Sequence, residues 1–272
     1  MTNFFERIMV LNSKGPYRAE RVGPEDALKG GRTPVLENPQ PNVVLGTPLT
    51  DLEDSYWAET DGLEQPAQIV LGLGCFWGVE RMFWGVDGVW GTSVGYAGGY
   101  TPNPTYREVC TGRTGHAEVV RVIFDAAAVS LEQLLQIAFE NHDPTQGDRQ
   151  GNDVGTQYRS CVYVQDAEQL RRVRQAIAGW QQRFSDAGFG EITTEVAELA
   201  EIGDGQYYLA EDEHQQYLHK NPGGYCNHGP NGVSCPVGVL GDYRASNCGS
   251  TWRGSGSECA PLARPCCRPS GR

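Results

Sequence analysis

Hydrophobic periodicity is confined to the middle of this chain, from about residue 68 to residue 218, so any core has to be assembled from that stretch. Within it, strand-like and helix-like patterns follow one another irregularly. Gln68-Ile69-Val70-Leu71 is a short apolar run of the kind buried strands carry, and Gly72 and Gly74 end it. Phe76, Glu80 and Phe83 are spaced as in a short helix over residues 76–84. A loop rich in Gly, Tyr and Pro is expected from Gly95 to Pro104. His116 to Phe124 alternates as a strand. Ser130, with Gln133 three positions on, opens a helix by a capping box, and Leu131, Leu134, Leu135 and Ala138 form its apolar face. A second loop runs from His142 to Thr156, and Tyr158 to Val164 reads as another strand. Asp166 caps a long helix striped by Leu170, Val173, Ile177, Trp180 and Phe184. Ile192 to Leu199 is a further strand and Glu211 to Leu218 a short helix. Helices mixed with strands in this order predict a two-layer α+β domain rather than a doubly wound sheet.

The flanks are different. Residues 1–66 are punctuated by Pro and Gly and are expected to form an irregular extension that wraps the core. Residues 67–235 hold the patterned domain. From Pro236 the composition shifts to Gly, Ser, Arg and Cys with no period, which predicts a disordered tail over 236–272. With 22 Lys plus Arg against 34 Asp plus Glu, the net charge of −12 lacks a basic footprint for nucleic acid. No run approaches the roughly 20 apolar residues of a membrane span. The start, Met1-Thr2-Asn3-Phe4-Phe5-Glu6-Arg7, does not read as a signal peptide, so a cytoplasmic location is expected.

There are 9 cysteines, and where they stand matters more than their number. Cys75 follows an apolar strand and two glycines and stands at a helix start. Exposed N–H groups and the helix dipole there favour an anion and can lower a thiol pKa from about 8.5 to roughly 3.5–7.5. The competing reading is a small buried residue filling a tight turn. Phe76 and Trp77 come next. Two adjacent aromatics cannot both face the core of one helix, so one is expected to line a pocket beside the thiol.

Glu118 is the second anomaly, because strand alternation puts it on the same face as Val120, Val122 and Phe124. A desolvated carboxyl keeps its proton, as a general acid near neutral pH must. The alternative is a strand-end Glu with its head in water. Tyr106, Asp153 and Tyr158 sit in or beside loops that could converge on the same place, and phenols can donate to a developing oxyanion. His116, His142 and His214 invite a Cys–His nucleophile. A metal site is not expected, since no two cysteines have zinc-knuckle spacing. Cys226 and Cys235 flank a Gly-containing loop, which predicts a mobile segment able to deliver each thiol in turn to another sulfur.

These segments resemble a known family. Gly74-Cys75-Phe76-Trp77-Gly78-Val79-Glu80 is similar to the signature of the A-type peptide methionine sulfoxide reductases. The likeness continues through Gly95-Tyr96-Ala97-Gly98-Gly99, Thr114-Gly115-His116-Ala117-Glu118, His142-Asp143-Pro144-Thr145, Arg149 to Ser160, and His214-Gln215-Gln216-Tyr217-Leu218. It implies a two-layer α/β sandwich with a mixed sheet and long coil regions.

The resemblance also implies a chemistry. Cys75 attacks the sulfoxide sulfur, while Glu118, Tyr106 and Tyr158 polarise and protonate its oxygen. Phe76 and Trp77 hold the methyl group, and Asp153 binds the substrate main chain. The sulfenic acid left on Cys75 is resolved by Cys226, then Cys235 takes over the disulfide and passes it to thioredoxin. The implied substrates are the S epimer of methionine sulfoxide, free or in oxidised proteins. The implied enzyme needs no metal or bound organic cofactor, and a monomer is expected. One stretch departs from the family: Asn227, His228, Pro230 and Asn231 stand where glycine and small residues are expected. Two other classes stay open on residue type alone. They are a thiol hydrolase pairing Cys75 with His116 and a non-catalytic redox-sensing module.

Overall fold

The computed structural model describes residues 16–49 and 63–235. Six strands form one mixed sheet: β1 (Pro66–Leu73), β2 (Val89–Ala97), β3 (Ala117–Asp125), β6 (Ser160–Val164), β7 (Glu195–Glu198) and β8 (Tyr207–Leu209), in the order β7-β6-β1-β3-β2-β8. All neighbours pair antiparallel except β6 and β7. A separate two-stranded ribbon joins β4 (Arg149–Gln150) to β5 (Asp153–Val154). The helices are α1 (Phe76–Phe83), α2 (Tyr106–Cys110), α3 (Leu131–Asn141), α4 (Ala167–Asp186) and the one-turn α5 (Tyr217–Lys220).

Strand alternation builds the layers. Ile69, Leu71 and Leu73 of β1, Val120, Val122 and Phe124 of β3, and Val162 and Val164 of β6 share one cluster with Phe76, Val79 and Phe83 of α1, Leu134 and Phe139 of α3, and Trp180 and Phe184 of α4. The intervening residues Val70, Val119, Cys161 and Tyr163 form a smaller cluster with Ala197, Leu199, Ile202 and Tyr207. Helices therefore cover one face and mostly coil the other, which is a two-layer α+β arrangement. Both expected helix caps are present: Ser130 and Gln133 close a reciprocal capping box, and Asp166 accepts from the N–H of Gln169.

Several boundaries differ from the sequence reading. The stretch expected as loop from Gly95 begins inside β2, which runs through Ala97. The strand expected from Tyr158 starts at Ser160, and Tyr158 ends a 3-10 turn over Thr156–Tyr158. The strand expected over residues 192–199 is limited to Glu195–Glu198. The helix expected at Glu211 starts only at Tyr217, after a turn in which Gln216 has a left-handed φ of 48°.

In the arm, Tyr17 bridges to Gly147, Arg21 pairs with Asp148 and Glu195, and Asn42 donates to the carbonyl of Thr92. The expectations for the tail 236–272, with Cys248, Cys259, Cys266 and Cys267, lie outside the described residues. Among the described residues no helix is long and apolar enough to cross a membrane.

Candidate active site

Central β1 ends at Leu73, and the chain turns at once into α1. Gly74 makes the turn with φ +104°, and a Cβ there would meet Cβ of Gln150 at 2.6 Å. Cys75 is thereby left as the residue capping α1, only 5% exposed. Its pKa moves opposite to the sequence expectation. Burial and then the nearby Glu118 carboxyl push the thiol well above its ordinary value, and the N–H groups of Trp77 and Gly78 pull it down too weakly to compensate. A short helix start gives a fraction of a charge, whereas removal from water penalises the whole thiolate. The resting thiol is neutral.

Glu118 lies on the helix-facing side of β3, as its alternation predicts, and is buried. Its Oε2 accepts from the N–H of Phe76 at 3.2 Å, while Oε1 is buried without a hydrogen-bond partner among the described residues. Desolvation raises its pKa to about 8, opposed by the Phe76 N–H and assisted by Asp153. A carboxyl with this value carries a proton at neutral pH. Burial first, and then the charge Glu118 can bear, raise the phenols of Tyr106 and Tyr158, and Glu118 also acts on Cys75, so these four side chains share one electrostatic environment.

Aromatic rings cluster at the start of α1 beside this pair. Phe76 lies 5.9 Å from Tyr96, 6.3 Å from Tyr106 and 5.5 Å from His214, ring centre to ring centre. Trp77 stacks on Tyr217 at 4.0 Å and donates from Nε1 to Nδ1 of His214 at 3.2 Å. Both aromatics thus join one cluster, Phe76 buried and Trp77 half-buried, because the first helical turn can point its side chains past the core. His214, a candidate Cys–His partner by residue type, joins this aromatic cluster with Tyr217 instead, a role that no local pattern marks. Their place depends on Glu80, which accepts from N–H and Nε2 of Gln216 and from the Thr92 hydroxyl, and so holds the left-handed turn between them. Burial raises Glu80 to about pKa 7 against those same bonds.

The other histidines serve the backbone. His116 precedes β3; its Nδ1 accepts from the N–H of Gly99 and its Nε2 donates to the carbonyl of Thr101. Neither nitrogen is left for Cys75. His142 is bonded to the carbonyl of Ala138 and the hydroxyl of Ser160, and burial lowers it to about pKa 4. Among the described residues no cluster of His, Cys, Asp and Glu could hold a metal.

The segment 225–235 is docked rather than loose, and the residues that depart from the family pattern dock it. Asn227 donates to Asp153 at 2.7 Å and to the carbonyl of Gln150, and Tyr225 donates to the other oxygen of Asp153 at 3.1 Å. His228 donates from Nε2 to the carbonyl of Leu73 at 2.7 Å. Asn231 donates to the carbonyls of Phe139 and His142 at the end of α3. Cys226 lies over the first turn of α1 and accepts from Nη2 of Arg81 at 3.0 Å. Cys235 is buried with Val233 in the main core, its N–H directed at Glu140 and its sulfur beside Arg183. Cys110 stands at the end of α2 on the same helix as Tyr106, and partial burial raises its thiol above the ordinary value.

A thiol beside a protonated carboxyl and an aromatic cluster, with a second thiol over the same helix turn, defines a thiol-dependent oxidoreductase. Comparison with known proteins names the family. A sequence profile described as peptide methionine sulfoxide reductase matches residues 67–233. Peptide methionine sulfoxide reductase MsrA of Corynebacterium efficiens is 57% identical over 216 residues, which is 79% of this chain and 94% of that protein. The enzyme of the same name from Salinispora tropica is also 57% identical, over 82% of this chain and 95% of its own length. The structure of methionine sulfoxide reductase A of Corynebacterium diphtheriae superimposes with a TM-score of 0.69 at 51% identity, covering 80% of this chain and 98% of that one. Reduced Mxr1 of Saccharomyces cerevisiae gives 0.54 at 36% identity, over 60% and 89%. The chain belongs to the peptide methionine sulfoxide reductase family, and its activity is thiol-dependent reduction of methionine sulfoxide.

Proposed function

We propose that residues 67–235 form the catalytic domain, with residues 1–66 as its arm, and that Cys75 reduces the S epimer of methionine sulfoxide, free or in oxidised proteins. The observation that carries this reading is Glu118: a buried, protonated carboxyl whose Oε1 has no other partner among the described residues, next to a neutral thiol. As the Cys75 sulfur attacks the sulfoxide sulfur, Glu118 gives its proton to the oxygen and takes back the thiol proton. Oxygen ends on Cys75 as sulfenic acid, methionine leaves, and Glu118 is protonated again. Tyr106 and Tyr158 steady the oxygen, because their raised phenols stay protonated and each keeps an O–H to donate to it. Phe76 and Trp77 receive the methyl group, and Asp153 receives the peptide N–H.

Cys226 then closes a disulfide on Cys75, Cys235 takes over the disulfide, and thioredoxin reduces it. The buried position of Cys235 means that the 231–235 segment leaves Glu140 and Phe139 before this last exchange. The working enzyme is a cytoplasmic monomer needing no bound cofactor. One equivalent of methionine S-sulfoxide, followed by thiol mapping by mass spectrometry, tests the scheme. A Cys75–Cys226 bond, absent in Cys75→Ser, is expected. Methionine release by Cys75→Ser at the wild-type rate would overturn it.

A further inference from the structure

Gly78 faces both the resolving thiol Cys226 and His228, one of the residues that depart from the family pattern. A Cβ at Gly78 would lie 2.3 Å from Nδ1 of His228 and 2.9 Å from Sγ of Cys226, so imidazole and thiol are near neighbours across the bare backbone of this residue. The bond from Nε2 to the carbonyl of Leu73 fixes the tautomer: the ring proton is on Nε2 and Nδ1 carries a lone pair. That lone pair is buried and has no hydrogen-bond partner among the described residues. A histidine serving only as a hook for the segment needs Nε2 alone. Leaving the second nitrogen dry and unpaired is unfavourable unless another step uses it. Cys226 also accepts from the guanidinium of Arg81, which holds the sulfur over the start of α1.

We propose that His228 is the general base of the second step, its Nδ1 taking the proton of the Cys226 thiol as that sulfur attacks the sulfenic acid on Cys75. The inference rests on the relay through Cys226 given above. The electron pair of the Cys226 thiolate forms the S–S bond, and the S–O bond of Cys75 breaks with its own pair. The departing hydroxide takes a proton from Glu118 and leaves as water. The proton held on His228 returns through solvent to Glu118. Cys226 is oxidised and Cys75 reduced, one water is formed, and no outside reductant enters.

The surroundings keep His228 ready. Burial lowers its pKa below the usual value; the Arg81 charge acts in the same direction, while the Leu73 carbonyl and Asp153 oppose it. His142, buried and neutral near pH 7, is the remaining titratable neighbour. Imidazole is therefore in its base form at neutral pH.

The test compares wild type with His228→Gln, whose amide can still donate to Leu73. Reduced enzyme is mixed with methionine S-sulfoxide, quenched and alkylated at intervals, and scored for released methionine and for the Cys75–Cys226 disulfide. In His228→Gln the lag between the two should lengthen on the order of 10²-fold. Its closure should then speed up as pH rises toward the ordinary thiol value of about 8.5. Closure in His228→Gln as fast as wild type, with the same pH profile, overturns the inference. Wild type gives an independent reading that needs no variant: closure should slow in acid as Nδ1 gains a proton, and a rate that does not change on acidification of the folded enzyme also overturns it. A wild-type enzyme that releases methionine but never joins Cys75 to Cys226 overturns the relay itself, a result distinguishable from the loss of His228 alone.

Discussion

The N–H of Phe76 donates to Oε2 of Glu118 at 3.2 Å, linking positions 42 residues apart. This bond ties the first turn of α1 to the start of β3 and leaves Oε1 as the oxygen without a partner among the described residues. In the proposed scheme helix start and general acid are thus set by one contact.

Glu118→Gln keeps an acceptor for Phe76 but has no proton to give. First-turnover methionine release should slow by a factor on the order of 10²–10⁴ at neutral pH. In wild type the same rate should fall as pH rises past about 8, where Glu118 loses its proton. Quenched-flow release across pH checks both.

The same carboxyl has a signature in stability. Between its ordinary value of 4.5 and about 8 the folded chain keeps a proton that the unfolded chain gives up. Stability from this group therefore falls as pH climbs through that window. Glu118→Gln carries no such penalty, so its melting temperature relative to wild type should rise steadily from about pH 5 to about pH 8. A constant difference would show that Glu118 titrates as an exposed carboxylate does.

Trp77 is held between His214 and Tyr217. Trp77→Ala removes the apolar wall nearest the solvent, and kcat/KM for methionine sulfoxide should drop about 10–200-fold, the worth of a methyl-sized contact. Tyr217→Ala, which unstacks Trp77 without removing it, should lose less. Steady-state kinetics of the pair distinguish wall from support.

Gly78→Ala gains helix propensity of about 1 kcal/mol, yet its methyl would strike His228 and Cys226. The substitution should leave α1 intact by circular dichroism while exposing Cys226 to alkylation and slowing disulfide closure. Closure at the wild-type rate would mean that the docked segment has room to shift.

Asn231→Ala should cost about 1 kcal/mol through the two α3 carbonyls left unpaired. Cys235, buried in the native chain, should then react faster with a thiol reagent. Denaturant titration and thiol kinetics measure the two effects.

Much of this is legible along the chain. The apolar run of β1, the alternation of β3 and the caps of α3 and α4 are local patterns, and Cys75 and Glu118 stand out against them. Strand β2 does not, because Gly91, Thr92, Ser93 and Gly95 break its alternation. The fold needs Gly95 small, since a Cβ there would meet the carbonyl of Tyr208 at 2.4 Å. His214 and Tyr217 stand in a recognisable segment, but their place against Trp77 is not legible there: it is set by Glu80 and the turn at Gln216, a contact over 136 residues that no local period records. The depressed thiol pKa expected at a helix start is overruled by burial, which only the packed chain reveals.

Tyr225 and Asn227 occupy both oxygens of Asp153 in the described chain. If Asp153 receives the substrate backbone, the peptide meets a carboxylate already held by the two residues that flank Cys226, with a lone pair still free on each oxygen. In the proposed scheme one side chain then touches both the bound peptide and the neighbours of the resolving thiol, so the two chemical steps are coupled through Asp153.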